Sequence, residues 1–245
     1  MEKALKIRTE DGHYIYGTLT SPSLKVKKVI LIVHGFSGHQ DEHPYYNGAK
    51  YFVKHGFATC RFDLYTWKTK GRKLDETTIK IHAQDTNKVV EYLRKRGYKK
   101  IFVVGHSLSG LSTLLVNTKR IKGIILWDPS SDNLLRKKNK WIKYNKKINN
   151  YIFDGGIRFI FGKKMYHEWK NFPDIIHIIK KITKPLLIIT AGKGILKKRC
   201  KQYYANANQP KKFVLIKRAG HIFSEEGVEE ELFKETLEWC KKFSK

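Results

Sequence analysis

Apolar residues along this chain fall into short unbroken runs, with longer stretches between them whose apolar positions recur every three or four residues. The runs at 29–33 (Val-Ile-Leu-Ile-Val), 57–62, 101–104, 121–127, 186–190 and 213–217 have the length and density of strands covered on both faces. Helical spacing is predicted over 45–55, over 77–96 (Ile81, Val89, Val90, Leu93), over 111–116 and 197–206, and over 228–243 (Leu232, Phe233, Leu237, Trp239). At the start, 5–8 and 14–20 read as a hairpin turned at Asp11-Gly12. Strand–helix alternation of this kind predicts an α/β fold: a mostly parallel sheet with helices on both faces. Ligands of such sheets sit beyond the C-terminal ends of the strands. The rhythm breaks over 130–182, which is rich in Lys and Asn at first and then aromatic (Tyr151, Phe153, Phe159, Phe161, Tyr166, Trp169, Phe172). This stretch reads as an insertion, and residues 1–245 as a single domain carrying it.

With 245 residues the chain is long enough to bury one large core. The N-terminal residues lack the apolar stretch of a signal peptide, and no run approaches the ~18 apolar residues of a membrane span. The three cysteines (Cys60, Cys200, Cys240) show neither a disulfide framework nor metal-ligand spacing, and the ten histidines are scattered, so no metal site and a cytoplasmic location are expected. The formal charge of +28 raises nucleic acid or an anionic membrane as partners. Lysines are spread over the whole length, however, which favours solvated faces over a nucleic-acid site. The densest basic patch, 136–147, interleaves aromatics with cations, an arrangement that could hold a strand of nucleic acid, and it falls inside the insertion.

The candidate chemistry lies at three strand ends. The run 101–104 leads into Gly105-His106-Ser107-Leu108-Ser109-Gly110 and then a helix, a turn that holds a serine hydroxyl above the sheet beside the positive end of the helix. The run 29–33 leads into His34-Gly35-Phe36-Ser37-Gly38, a loop whose free N–H groups can face a developing oxyanion; Phe36 and Leu108 are the expected pair. The run 213–217 leads into Gly220-His221, placing a histidine where it could take the Ser107 proton. His34 and His106 are expected to be structural. Asp63 is expected to have no catalytic role, and Asp85 to lie on a helix surface or tether a loop.

Carried by His34-Gly35, Phe62-Asp63, Gly105-His106-Ser107 and Gly220-His221, the chain resembles the α/β-hydrolase family, in particular its small esterase, lipase and serine-aminopeptidase-like members. The resemblance implies an eight-stranded, mostly parallel sheet, a cap over about 130–182, no cofactor, and Ser107 and His221 as nucleophile and base. It also implies an acid, usually just after the strand at 186–190, where this chain has Gly194; no Asp or Glu occurs from 175 to 222. Some members draw the acid from the end of the preceding strand, which makes Asp128 the first choice here and Asp132 the second. The function expected is a serine hydrolase cleaving small-molecule carboxylic esters of acyl or aromatic acids through an acyl-enzyme, with thioesterase, lipase and aminopeptidase left open. The alternative is a catalytically weakened fold that binds nucleic acid or anionic lipid through its basic face.

Overall fold

The computed structural model describes residues 1–132, 135, 141–154 and 158–244. Strands β1 (Glu2–Arg8) and β2 (Tyr14–Thr20) form the expected hairpin. Strands β3 (Lys28–Val33), β4 (Ala58–Asp63), β5 (Lys100–His106), β6 (Gly123–Trp127), β10 (Leu186–Ala191) and β11 (Lys211–Ile216) complete an eight-stranded sheet of order β1-β2-β4-β3-β5-β6-β10-β11. Six of these strands run parallel; β2 joins them antiparallel through β4. The two open edges, β1 and β11, carry lysines (Lys3 and Lys6; Lys211 and Lys212).

The central strands read as continuous apolar runs because both of their faces are covered. On one face Ile30, Ile32, Phe102, Val104, Ile125, Trp127, Leu187 and Ile189 pack under α1 (His43–Lys54) and α7 (Val228–Lys242). The alternate residues, among them Val29, Leu31, Val33, Ile101, Val103, Ile124 and Leu126, pack under α2 (Ile79–Lys95) and α3 (Leu108–Thr113). Side chains point to opposite faces along a strand, so each run supplies both halves of the core. Helix α2 starts where Thr78 accepts a hydrogen bond from the Ile81 N–H, as an N-cap residue does.

Between β6 and β10 the described residues form elements that the sequence pattern does not predict. Strands β7 (Ile142–Asn145), β8 (Asn150–Asp154) and β9 (Arg158–Phe161) make a small antiparallel sheet, and α4 (Lys163–Lys170) and α5 (Ile175–Ile179) follow. Strands of four or five residues with lysine and asparagine on their outer face carry too little apolar periodicity to register as strands. Helix α6 (Lys197–Asn206) then leads to β11. Of the basic patch expected at 136–147, residues 136–140 lie outside the described residues. Among the described residues, no helix is long and apolar enough to cross a membrane.

Candidate active site

Ser107 stands between β5 and α3 with φ 54° and ψ −123°, a backbone conformation that costs a non-glycine residue about 1–3 kcal/mol. The turn is tight on both sides. A Cβ on Gly105 would come within 2.5 Å of the Ser109 carbonyl oxygen, and one on Gly110 within 2.5 Å of the Pro129 Cβ. Ser109, which departs from the usual glycine of this turn, is accommodated and used: its hydroxyl donates to the His34 carbonyl at 2.5 Å and ties the turn to the loop after β3. Helix α3 begins directly after Ser107, three residues before the apolar pattern places it, because Ser109 and Gly110 are buried without being apolar.

The loop after β11 brings His221 back over this turn. Its Nε2 lies 2.9 Å from the Ser107 Oγ and its Nδ1 lies 2.6 Å from the Asp128 Oδ2. Since a carboxylate only accepts, Nδ1 carries the proton and the Nε2 lone pair faces the serine hydroxyl. Asp128 sits at the end of β6 at φ 38°, fully buried, and its other oxygen accepts from the Thr190 hydroxyl at 2.8 Å and the Ala191 N–H at 3.0 Å. The imidazole side is open, with 41% of the His221 side chain exposed.

The two candidate acids separate cleanly. Asp132 is held by other partners: Arg199 pairs with it at 2.8 Å, and the Tyr203 hydroxyl donates to it at 3.1 Å. Gly194, where the resemblance places a carboxylate, lies against the same spot as Asp128, a Cβ there coming 3.5 Å from the Asp128 Oδ2. Strands β6 and β10 are neighbours, so a carboxylate from either end reaches one point.

Leu108 is the first residue of α3, whose leading N–H groups have no intrahelical acceptor. Phe36 lies across the turn from it, and both Phe36 and Ser107 line a cavity of about 490 Å³. Its wall is apolar: Ile142, Phe153, Phe159 and Trp169 come from the segment between β6 and β10, and Leu196 from the entry to α6. The Phe36 ring packs edge-on against Phe159, Phe161 and Trp169 at 4.9, 5.5 and 5.9 Å, binding that segment to the loop after β3. Ser130, missed in the sequence, also faces the cavity with its Oγ 3.3 Å from that of Ser107, and its N–H donates to the Ser107 carbonyl.

His34 and His106 are buried in supporting positions. His34 donates through Nδ1 to the Gly35 carbonyl and accepts at Nε2 from the Leu64 N–H; burial lowers its pKa to about 4. For His106, Nε2 donates to the His221 carbonyl at 2.9 Å, so Nδ1 accepts from the Tyr45 hydroxyl at 2.7 Å, and that hydroxyl in turn accepts from the Gly35 N–H at 2.9 Å. Burial, with the neighbouring His221 as a lesser cause, lowers the His106 pKa to about 3. This relay joins the loops after β3 and β11, and no local sequence signal announces it. Asp63 accepts from both the N–H and the side-chain amide of Gln40, and buried Asp85 pairs with Arg72, which also pairs with Asp11. Both are tethers. Among the described residues, no group of three or more His, Cys, Asp or Glu side chains is gathered as metal ligands.

A parallel-centred eight-stranded sheet with a strained serine at the end of β5 and a returning histidine after β11 defines an α/β hydrolase. The chain belongs to the serine aminopeptidase S33 family, whose model matches residues 24–155. No curated protein matches. Among solved structures, the chain is similar to Est1E from Butyrivibrio proteoclasticus with ferulic acid bound, at 21% identity and a TM-score of 0.84, covering 98% of this chain and 99% of that one. It is also similar to the esterase domain of a Rhodothermus marinus protein (17% identity, TM-score 0.76, 99% of both chains). An esterase of Pyrococcus furiosus shows the same fold at 18% identity and TM-score 0.74, with 99% of this chain and 91% of that one covered.

Proposed function

We propose that the protein is a serine hydrolase that cleaves carboxylic esters through an acyl-enzyme. Ser107 is the nucleophile, His221 the general base and then acid, and Asp128 the carboxylate that fixes the imidazole tautomer and stabilises its charged form. Attack by Ser107 Oγ on the ester carbonyl passes its proton to His221 Nε2. The tetrahedral oxyanion is held by the N–H groups of Phe36 and Leu108, the alcohol leaves with the His221 proton, and water activated by the same imidazole frees the acid. The observation that carries this reading is the continuous hydrogen-bonded chain from Ser107 through His221 to buried Asp128.

The segment between β6 and β10 serves as a cap whose aromatic and aliphatic side chains form the acyl pocket. An apolar cavity of about 490 Å³ suits a medium acyl chain or an aromatic acid, and the likeness to an esterase with ferulic acid bound supports the latter. No cofactor enters the mechanism. A short-chain p-nitrophenyl ester tests the proposal. The wild-type chain turns it over and is labelled by a fluorophosphonate; Ser107→Ala lowers kcat by about 10⁴-fold or more and abolishes labelling. Turnover unchanged in that variant removes Ser107 from the chemistry.

A further inference from the structure

The mouth of the cavity is framed by residues 192–196, between β10 and α6, and by the loop after β11 that carries His221. Two aliphatic side chains stand in solvent there: Ile195 is 81% exposed and Ile222 is 54% exposed. Ile195 is continuous with the apolar lining that runs down to Ser107. Lys193, Lys197 and Lys198 flank Ile195 in the chain, and Lys217 and Arg218 precede Ile222 at the start of the loop after β11. Of these five, Lys193 alone has a carboxylate partner among the described residues, Glu225 at 3.5 Å. The first turn of α6 holds Lys197 and Lys198 and no acid, the reverse of what the helix dipole favours, so the positive end of the helix adds to the lysine field, whereas Arg199 in the same turn is paired with Asp132 and Asp174.

We propose that this rim docks the protein on an anionic lipid bilayer. Ile195 and Ile222 enter the interface, the lysines lie among the headgroups, and an amphiphilic ester passes from the bilayer into the cavity beside Ser107. Apolar tips ringed by cations combine the two attractions that hold peripheral proteins to anionic membranes, one salt-resistant and one screened by salt. A nucleic acid fits the rim less well. Stacking needs exposed rings, and those of α6 are taken: Tyr203 is buried and Tyr204 packs on Phe213. The link to a lipid ester rests on the hydrolase reading; the docking itself is measured without turnover.

The test uses the full chain carrying Ser107→Ala, sedimented with vesicles of phosphatidylcholine alone or with about one quarter phosphatidylglycerol. Binding is expected only with the anionic lipid, and is expected to weaken between about 50 and 500 mM salt. Lys197→Glu, Lys198→Glu and Lys217→Glu together lower partitioning by about 100-fold or more, since each cation near such a surface contributes about fivefold. Lys25→Glu, Lys27→Glu and Lys99→Glu make the same change in net charge at the N-terminal ends of β3 and β5, away from the site, and shift binding by no more than about threefold. Ile195→Ser with Ile222→Ser removes most of the binding that survives high salt. Equal losses in the two charge-reversed variants, or no preference for the anionic lipid, overturn the proposal. So does tighter binding to a DNA duplex than to vesicles that ignores the isoleucine changes. Vesicle binding as expected without Ser107-dependent ester turnover keeps the docking and removes the hydrolase; the reverse result does the opposite.

Discussion

Ser107 combines a strained backbone with a hydroxyl 2.9 Å from an imidazole whose tautomer is fixed from behind. What keeps the strain in place is local: Gly105, Gly110 and the Ser109–His34 bond leave the turn no room to relax. The Tyr45 hydroxyl does comparable work at longer range, accepting from the Gly35 N–H and donating to His106. Tyr45→Phe keeps the ring and its packing but leaves a buried N–H and a buried ring nitrogen without partners. Removing one side of a buried hydrogen bond costs about 1–3 kcal/mol, so Tyr45→Phe is expected to lower unfolding stability by that order in a urea titration. An unchanged midpoint would mean the relay contributes nothing to stability.

At the scale of elements, the adjacent C-terminal ends of β6 and β10 decide where a carboxylate can meet His221. A Cβ on Gly194 would stand in van der Waals contact with the Asp128 carboxylate, so a shorter residue at 128 would make room for a carboxylate supplied from the end of β10. Asp128→Ser is expected to cut kcat on a p-nitrophenyl ester by about 10³- to 10⁴-fold, as loss of the orienting acid does. Adding Gly194→Asp to that variant should recover at least about tenfold of the loss; no recovery would show that the ends of β6 and β10 are not interchangeable. The sequence made this site legible in part. Ser107, Phe36 and His221 follow apolar runs in chain order, and Asp128 ends the run at 121–127, so each carries a local signal. The Tyr45–His106 relay and Ser130 do not, because their partners lie far away in the chain and meet only through sheet order. The fold class was equally legible, since strands covered on both faces spell themselves out as apolar runs. The small sheet of β7, β8 and β9 was not, its strands being short and half polar.

For the molecule as a whole, three buried neutral histidines tie stability to pH. Burial lowers His34 to about 4, and His82 and His106 to about 3, against an ordinary value near 6.5. Their folded pKa values lie below the unfolded ones, so the unfolded chain binds the extra protons. Their contribution is complete above pH 6.5 and is lost as pH falls from there toward 4 and then 3. Each histidine steepens the loss by up to about 1.4 kcal/mol per pH unit in that window. Acid unfolding monitored by circular dichroism should therefore begin below about pH 6 and take up close to three protons. His82→Leu, which removes a buried imidazole whose two nitrogens have no hydrogen-bond partner among the described residues, should move that transition to lower pH. A transition left in place would exclude His82 as a source of the acid sensitivity.

An eight-stranded sheet that never closes on itself offers two unpaired backbone ladders to any passing strand, and ladders of that kind are where proteins copy their own edges into fibres. Here the borders at β1 and β11 each present lysines, of which Lys212 is paired with Glu235 and Lys3, Lys6 and Lys211 keep their charge, so two molecules approaching side by side meet like charge before they can exchange a hydrogen bond. The cationic excess of the sequence thus guards the open edges of its own sheet.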